Sequence, residues 1–246
     1  MATVPALEHR APPLRLLARE GLAIAGRFWR AFGKVGERGP ANGKPLVVVP
    51  GFLASDRTTL GLQRALAEAG YRVSGWGMGM NLGARADTLQ LIVSHIERFG
   101  RGQPITLVGW SLGGLYAREA AKLRPDLIER VITLGSPFSG DPRANNAWRL
   151  YELVSGHPVD KPPLEIDLQQ KPSVPTLAIW SRRDGVVAPA CACGTETQSD
   201  LRIELDCSHM GFGVSGKAYP QILAALRQFS EVEAAPLAPG SGSAGR

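Results

Sequence analysis

Gly109-Trp110-Ser111-Leu112-Gly113-Gly114 follows directly on the apolar run Ile105–Val108 and leads into the helical pattern Leu112–Lys122. So abrupt a reversal from strand to helix leaves no room for side chains at Gly109 or Gly113, and it thrusts Ser111 out at the edge of the sheet. The helix that begins there aims its unpaired amides and the positive end of its dipole at the same point, which favours negative charge developing beside Ser111. A strand that turns straight into a helix is also the first half of a crossover connection, the unit of a parallel sheet.

The chain on either side repeats that unit. Leu46–Val49, Tyr71–Val73, Ile105–Val108, Val131–Leu134, Ala178–Trp180 and Leu201–Leu205 read as short strands, with Thr59–Ala69, Thr88–Phe99 and Leu112–Lys122 as helices among them. Strands spaced by helix-length segments imply an α/β fold with a mainly parallel central sheet covered by helices on both faces. The 246 residues suffice for one such domain, placed at 45–233. Between Pro137 and Pro175 the alternation pauses, and Trp148, Leu150, Tyr151 and Leu153 fall on a short helical pattern. A long insertion of this kind forms either a small cap or lid over a cleft or an ordinary peripheral helix.

Ahead of the domain, residues 13–33 read as an amphipathic helix, with Leu14, Leu17, Leu22, Ile24, Phe28, Trp29 and Phe32 broadly on one side and arginines interleaved. A Gly/Pro/Asn-rich linker, 36–44, closes this N-terminal segment of 1–44, and the Pro/Gly/Ser/Ala-rich tail 234–246 is expected to be disordered. The formal charge of +6 is concentrated in 1–44, which holds eight Lys/Arg against three Glu, so the remainder is nearly neutral. The basic character therefore belongs to the N-terminal helix, which suits packing on the domain or peripheral contact with an anionic membrane through residues 13–33. No nucleic-acid-reading motif accompanies it, and no nucleic-acid partner is expected.

Pro and Arg interrupt the first thirty residues too often for the ~7–15-residue apolar core of a secretory signal, and nothing elsewhere approaches the ~18 apolar residues of a membrane span. A cytoplasmic location is the expectation. Cys191, Cys193 and Cys207 are too few and too clustered for a disulfide scaffold. A bridge from Cys207 to Cys191 or Cys193 and three separate thiols both stay open. No Cys/His set has zinc spacing, and no metal or cofactor is expected.

Serine is a weak nucleophile unless a base takes its proton and a carboxylate orients that base. Of four histidines, His9 lies in the N-terminal segment, His95 inside a helix and His157 in the insertion, all ahead of any acid that could precede the base. His209 remains, in the glycine-rich stretch Cys207-Ser208-His209-Met210-Gly211-Phe212-Gly213, read as a loop after the last strand. The acid should end a strand between the two. Asp184, in Arg183-Asp184-Gly185 after the apolar run to Trp180, fits best, with Asp206 as competitor. An oxyanion needs two backbone donors. The Leu112 amide is one candidate; the other is that of Phe52, or alternatively Leu53, in the loop Pro50-Gly51-Phe52-Leu53. Leu53 and Trp110 are the candidate substrate contacts, next to the predicted nucleophile.

Taken together, PGFLASD from Pro50, GWGMGMNLG from Gly75, LVGWSLGG from Leu107, VITLGSPF from Val131, SRRDGVV from Ser181 and SHMGFG from Ser208 resemble a group of small bacterial α/β-hydrolases allied to lipases and esterases. That resemblance implies the α/β-hydrolase fold, the triad Ser111, Asp184 and His209, and cofactor-free hydrolysis of a small-molecule carboxylic ester, an apolar acyl group being suggested by the residues around Ser111. The same constellation serves acyl transfer to an alcohol or thiol. A noncatalytic acyl- or membrane-binding protein would keep the fold without needing an intact triad.

Overall fold

In a computed structural model of the protein, the described residues are 10–25, 42–164, 167–168 and 170–234. The six apolar runs form β1 (Pro45–Val49), β2 (Arg72–Gly75), β3 (Ile105–Trp110), β4 (Ile128–Leu134), β5 (Thr176–Trp180) and β6 (Leu201–Glu204). They make one sheet in the order β2-β1-β3-β4-β5-β6, and every neighbouring pair is parallel. The α/β fold with helices on both faces is thus the one adopted.

Successive side chains of a strand point to opposite faces, and the core divides accordingly. Leu46, Val48, Val108, Ile132, Leu134, Leu177 and Ile179 pack against α2 (Leu60–Glu68), α7 (His209–Val214) and α8 (Tyr219–Ala234). Val47, Val49, Ile105, Leu107 and Val131 pack against α3 (Thr88–Gly100) and α4 (Leu112–Leu123). Helices on both faces account for strands such as β1 and β5, which are buried along their whole length and almost wholly apolar instead of alternating with polar residues.

The strand order fixes where a site can form. From β1 the chain builds outward to β2, then returns past β1 to β3 and builds the other way. Connections leaving the C-terminal ends of β1 and β3 therefore diverge and leave a crevice, the place where open α/β sheets receive ligands. The Pro50–Leu53 loop and Ser111 occupy those two ends.

Several boundaries differ from expectation. β3 runs on through Gly109 and Trp110, and β4 begins at Ile128. The helices α6 (Pro189–Cys193), α7 and α8 were not anticipated. The Pro137–Pro175 insertion contains α5 (Trp148–Ser155), its one helix among the described residues. Helix α1 is described over Leu14–Ala25; the rest of the expected basic helix, most of its linker and the tail from 235 lie outside the described residues. No disulfide joins Cys191, Cys193 and Cys207. Among the described residues no helix is long and apolar enough to cross a membrane.

Candidate active site

Ser111 sits between β3 and α4 with φ 53° and ψ −122°, a backbone that L-residues rarely adopt. Such strain persists only where surrounding structure enforces it, and three features do. The Ser111 amide donates to the Leu134 carbonyl at 2.9 Å. A Cβ on Gly109 would fall onto the backbone of Gly113 and Gly114, and one on Gly113 onto the carbonyl oxygens of Val49 and Pro50. The small residues quoted at the outset are therefore required by contact with backbone, which cannot yield as a flexible side chain could. The side chain of Ser111 is half-buried, and among the described residues its hydroxyl has no hydrogen-bond partner.

Asp184 and His209 are brought together. His209 Nδ1 donates to Asp184 Oδ2 at 2.7 Å, with the carboxylate fully buried and the imidazole 3% exposed. The other carboxylate oxygen, Oδ1, accepts from the amides of Val186 at 2.8 Å and Val187 at 2.7 Å, which fixes the orientation of the group. With Nδ1–H committed to Asp184, the lone pair of neutral His209 lies on Nε2. Burial by itself lowers the His209 pKa, but the charge and hydrogen bond of Asp184, with the charge of Glu20 adding to them, hold it above the ordinary imidazole value. Asp206 is elsewhere: it lies at the surface, 2.8 Å from Arg183 Nε.

His209 is not in a loop but opens α7, whose N-cap Ser208 accepts from the Gly211 amide at 3.2 Å. Glycines disfavour a helix here, yet packing requires one of them, because a Cβ on Gly213 would lie 2.6 Å from the Trp110 ring. Trp110, expected to line the cleft, is instead 3% exposed, with its ring in the core and its indole N–H donating to the His209 carbonyl at 3.1 Å. The residue before Ser111 thereby ties the strand-to-helix turn to the histidine helix.

The loop after β1 runs against Ser111: a Cβ on Gly51 would lie 3.1 Å from Ser111 Cβ. Its next residues are pinned by Asn81, which is fully buried and was not singled out from sequence. Asn81 Nδ2 donates to the Pro50 carbonyl at 2.9 Å, the Asn81 amide to the Ala54 carbonyl at 2.8 Å, and the Leu53 amide to the Asn81 carbonyl at 2.7 Å. Leu53, at φ 57°, thus has its amide engaged, which leaves that of Phe52 as the donor candidate from this loop. The Phe52 ring packs on Tyr151 of α5 with centroids 5.3 Å apart, and the Leu53 side chain is exposed.

Two other chemistries find no support. Burial, together with the charges of Asp184 and Glu20, pushes the Cys207 thiol up to about 12, so it is not a thiolate nucleophile at neutral pH. Among the described residues no group of three His, Cys, Asp or Glu side chains could hold a metal ion.

A model of the alpha/beta hydrolase family matches residues 46–183, from β1 to the residue before Asp184. A curated relative, the biotin biosynthesis bifunctional protein BioHC of Teredinibacter turnerae, is 38% identical over 60 residues, 24% of this chain and 10% of that one, so the match spans about a tenth of the relative's length. Among solved structures, a chain of the metagenome-derived lipolytic enzymes LipS and LipT is 19% identical, covering 81% of this chain and 96% of its own, at a TM-score of 0.58. The NocB thioesterase domain is 18% identical over 79% and 97% of the two chains at 0.54. Naproxen esterase of Bacillus subtilis is 14% identical over 88% and 97% at 0.53. At these identities the structures share the fold with this chain.

Proposed function

The chain belongs to the alpha/beta hydrolase family, and from that premise we propose that it is a serine hydrolase cleaving carboxylic esters through an acyl-enzyme formed on Ser111. The observation that carries this reading is the buried 2.7 Å pair of His209 and Asp184, bonded through Trp110 to the strained turn of Ser111. A carboxylate buried against an imidazole is costly unless each serves the other, and orienting a base is the service that serine chemistry requires.

In this mechanism Ser111 Oγ attacks the ester carbonyl carbon while His209 Nε2 takes its proton. The carbonyl oxygen becomes an oxyanion held by the Phe52 and Leu112 amides. Collapse of the tetrahedral species breaks the bond to the alcohol oxygen, which leaves with the proton from His209. Water then attacks the acyl-enzyme by the same route, its proton passing through His209 to Ser111 as the carboxylic acid departs. Asp184 stays ionised throughout and stabilises the imidazolium. An apolar acyl group suits the exposed Leu53, in the loop that runs against Ser111.

The test is labelling with a fluorophosphonate, which captures an activated serine beside a formed oxyanion hole, followed by peptide mass mapping. Modification at Ser111 that disappears in His209→Ala is the expected result. Well-folded protein that takes no label at Ser111, or labels equally in His209→Ala, overturns the proposal.

A further inference from the structure

Helix α1 precedes the region matched by the family model, yet it delivers a carboxylate to the centre of the site. Glu20 is 3% exposed. Its Oε1 accepts from the His209 amide at 2.8 Å and the Gly185 amide at 3.0 Å, and its Oε2 accepts from the Met210 amide at 2.9 Å. These donors belong to two separate segments, one immediately after Asp184 and one starting at His209. The amides of His209 and Met210 lead α7 and so have no partner within that helix. A single side chain from outside the sheet therefore holds together the two segments whose side chains meet at 2.7 Å.

The rest of α1 is fitted to the same place. Gly185 does not have a positive φ; its lack of a side chain is explained by α1, since a Cβ there would lie 2.5 Å from the backbone carbonyl of Leu16. Asn146 Nδ2 donates at once to the Gly185 carbonyl at 2.8 Å and to the Pro12 carbonyl, just ahead of α1, at 2.9 Å. Gly185 is thus gripped through its amide by Glu20 and through its carbonyl by Asn146.

We infer that Glu20 is a positioning residue for the His209–Asp184 pair, acting through the amides of Gly185, His209 and Met210; the inference rests on the serine-hydrolase reading above. It touches neither substrate nor the reacting atoms. Its action is twofold: it sets the separation of the two segments, and its negative charge favours the protonated imidazole. The charged groups acting on His209 are Asp184 from the turn after β5 and Glu20 from α1; Cys207, in the stretch before α7, feels the same two carboxylates. Burial and the neighbouring carboxylates keep the Cys207 thiol protonated, so Asp184 and Glu20 supply the charge.

The experiment compares full-length wild type with Glu20→Gln, Glu20→Asp and Gly185→Ala. It reads kcat and KM for p-nitrophenyl butyrate across pH, the melting temperature, and the His209 pKa by histidine NMR. Glu20→Gln keeps the shape but loses the charge and one acceptor; its expected result is a fall in kcat of about ten- to a hundredfold, the scale of an ångström-sized misplacement, with KM within about twofold. The acid limb of its pH profile and the NMR pKa of His209 both move down. Glu20→Asp, which keeps the charge, restores the pH position but not the full kcat. Gly185→Ala, which keeps Glu20 but forces α1 away, lowers kcat in the same way. Glu20→Gln with wild-type kcat and an unshifted His209 pKa overturns the inference, whatever its melting temperature. If Ser111→Ala retains esterase activity, the serine-hydrolase reading falls instead, and the NMR shift still reports whether Glu20 acts on His209.

Discussion

Asp184→Asn separates the charge of the acid from its shape, and the surrounding hydrogen bonds set the size of the effect. In the native protein Oδ1 accepts from the amides of half-buried Val186 and buried Val187, while Oδ2 accepts from His209 Nδ1. Asparagine has one oxygen for both tasks. If that oxygen stays on the amides, the NH2 group faces His209 Nδ1, which must then accept; the ring proton moves to Nε2, and no lone pair is left for Ser111. If the group turns over, the imidazole regains its working tautomer, but the NH2 now opposes two N–H donors held at least partly away from water. Stranding each donor costs about 1–3 kcal/mol, so roughly 2–6 kcal/mol in all.

At ~1.36 kcal/mol per factor of ten, that cost thins the working arrangement by between about thirtyfold and about twenty-five-thousandfold. The expected outcome is a loss of kcat/KM in that range for p-nitrophenyl butyrate at pH 8, smaller than the loss in Ser111→Ala or His209→Ala. Asp206→Asn is the matched control. Its carboxylate pairs with Arg183 in solvent, where ion pairs contribute little, so activity stays within about twofold of wild type. An active Asp184→Asn beside an inactive Asp206→Asn would refute the assignment of the acid and the reasoning from the amide pair.

Three further outcomes follow from the same geometry. His209 must be neutral to act as a base, and its pKa lies above the ordinary 6.5; the acid limb of wild-type kcat/KM against pH should therefore have its midpoint above 6.5, and a midpoint below it contradicts the assigned environment. Asn81→Ala strands the Pro50 carbonyl and loosens the loop that carries Phe52. At about 1–3 kcal/mol for an unmet buried acceptor and roughly 2–4 °C per kcal/mol for a chain this size, its melting temperature should drop by about 2–12 °C. Its kcat should fall about tenfold as one oxyanion donor drifts; calorimetry and steady-state kinetics check both. With its thiol pushed up to about 12, Cys207 is thiolate at only about one part in ten thousand at pH 8, so iodoacetamide at that pH should leave esterase activity intact. Rapid inactivation would bring back a thiol nucleophile.

How legible each part was depends on whether its cause is local. The strand-to-helix turn at Ser111 is local: neighbouring glycines are needed for a tight reversal, and the pattern stands in consecutive residues. The pairing of His209 with Asp184 was reached by elimination and chain order, and the two do meet; Asp184 ranked above Asp206 because Asp206 stands too near His209 in the chain to be positioned by a separate strand. Helix α8 was not anticipated although Tyr219, Ile222, Leu223, Leu226 and Phe229 recur at helical spacing and are buried; no chemical motif marks this stretch, only its periodicity. Trp110 was placed on the cleft for its nearness to Ser111. Side chains alternate along β3, however, and the outward turn of Ser111 says nothing about the face of its neighbour.

Glu20 marks the limit of reading by pattern. Its position is visible as a carboxylate at helical spacing from Leu16 and Leu17, on a stripe that would otherwise be apolar, and an acid there calls for a buried partner. What the sequence cannot name is the partner, because the acceptors' donors are backbone amides 165 to 190 residues away, and an amide carries no residue identity. The same holds for Asn81 and the Pro50 carbonyl. The side chains expected to do chemistry are recognisable by type, whereas the groups that align them work through the main chain and become visible only when the fold closes. That division has a physical basis. A reacting group must have a particular pKa and nucleophilicity, which only certain residues possess; a group that fixes a loop need only offer a lone pair in the right place. The N-terminal helix is therefore where sequence-based intuition about this chain is weakest and where substitution should be most informative, since a change at Glu20 alters alignment without touching any atom that reacts.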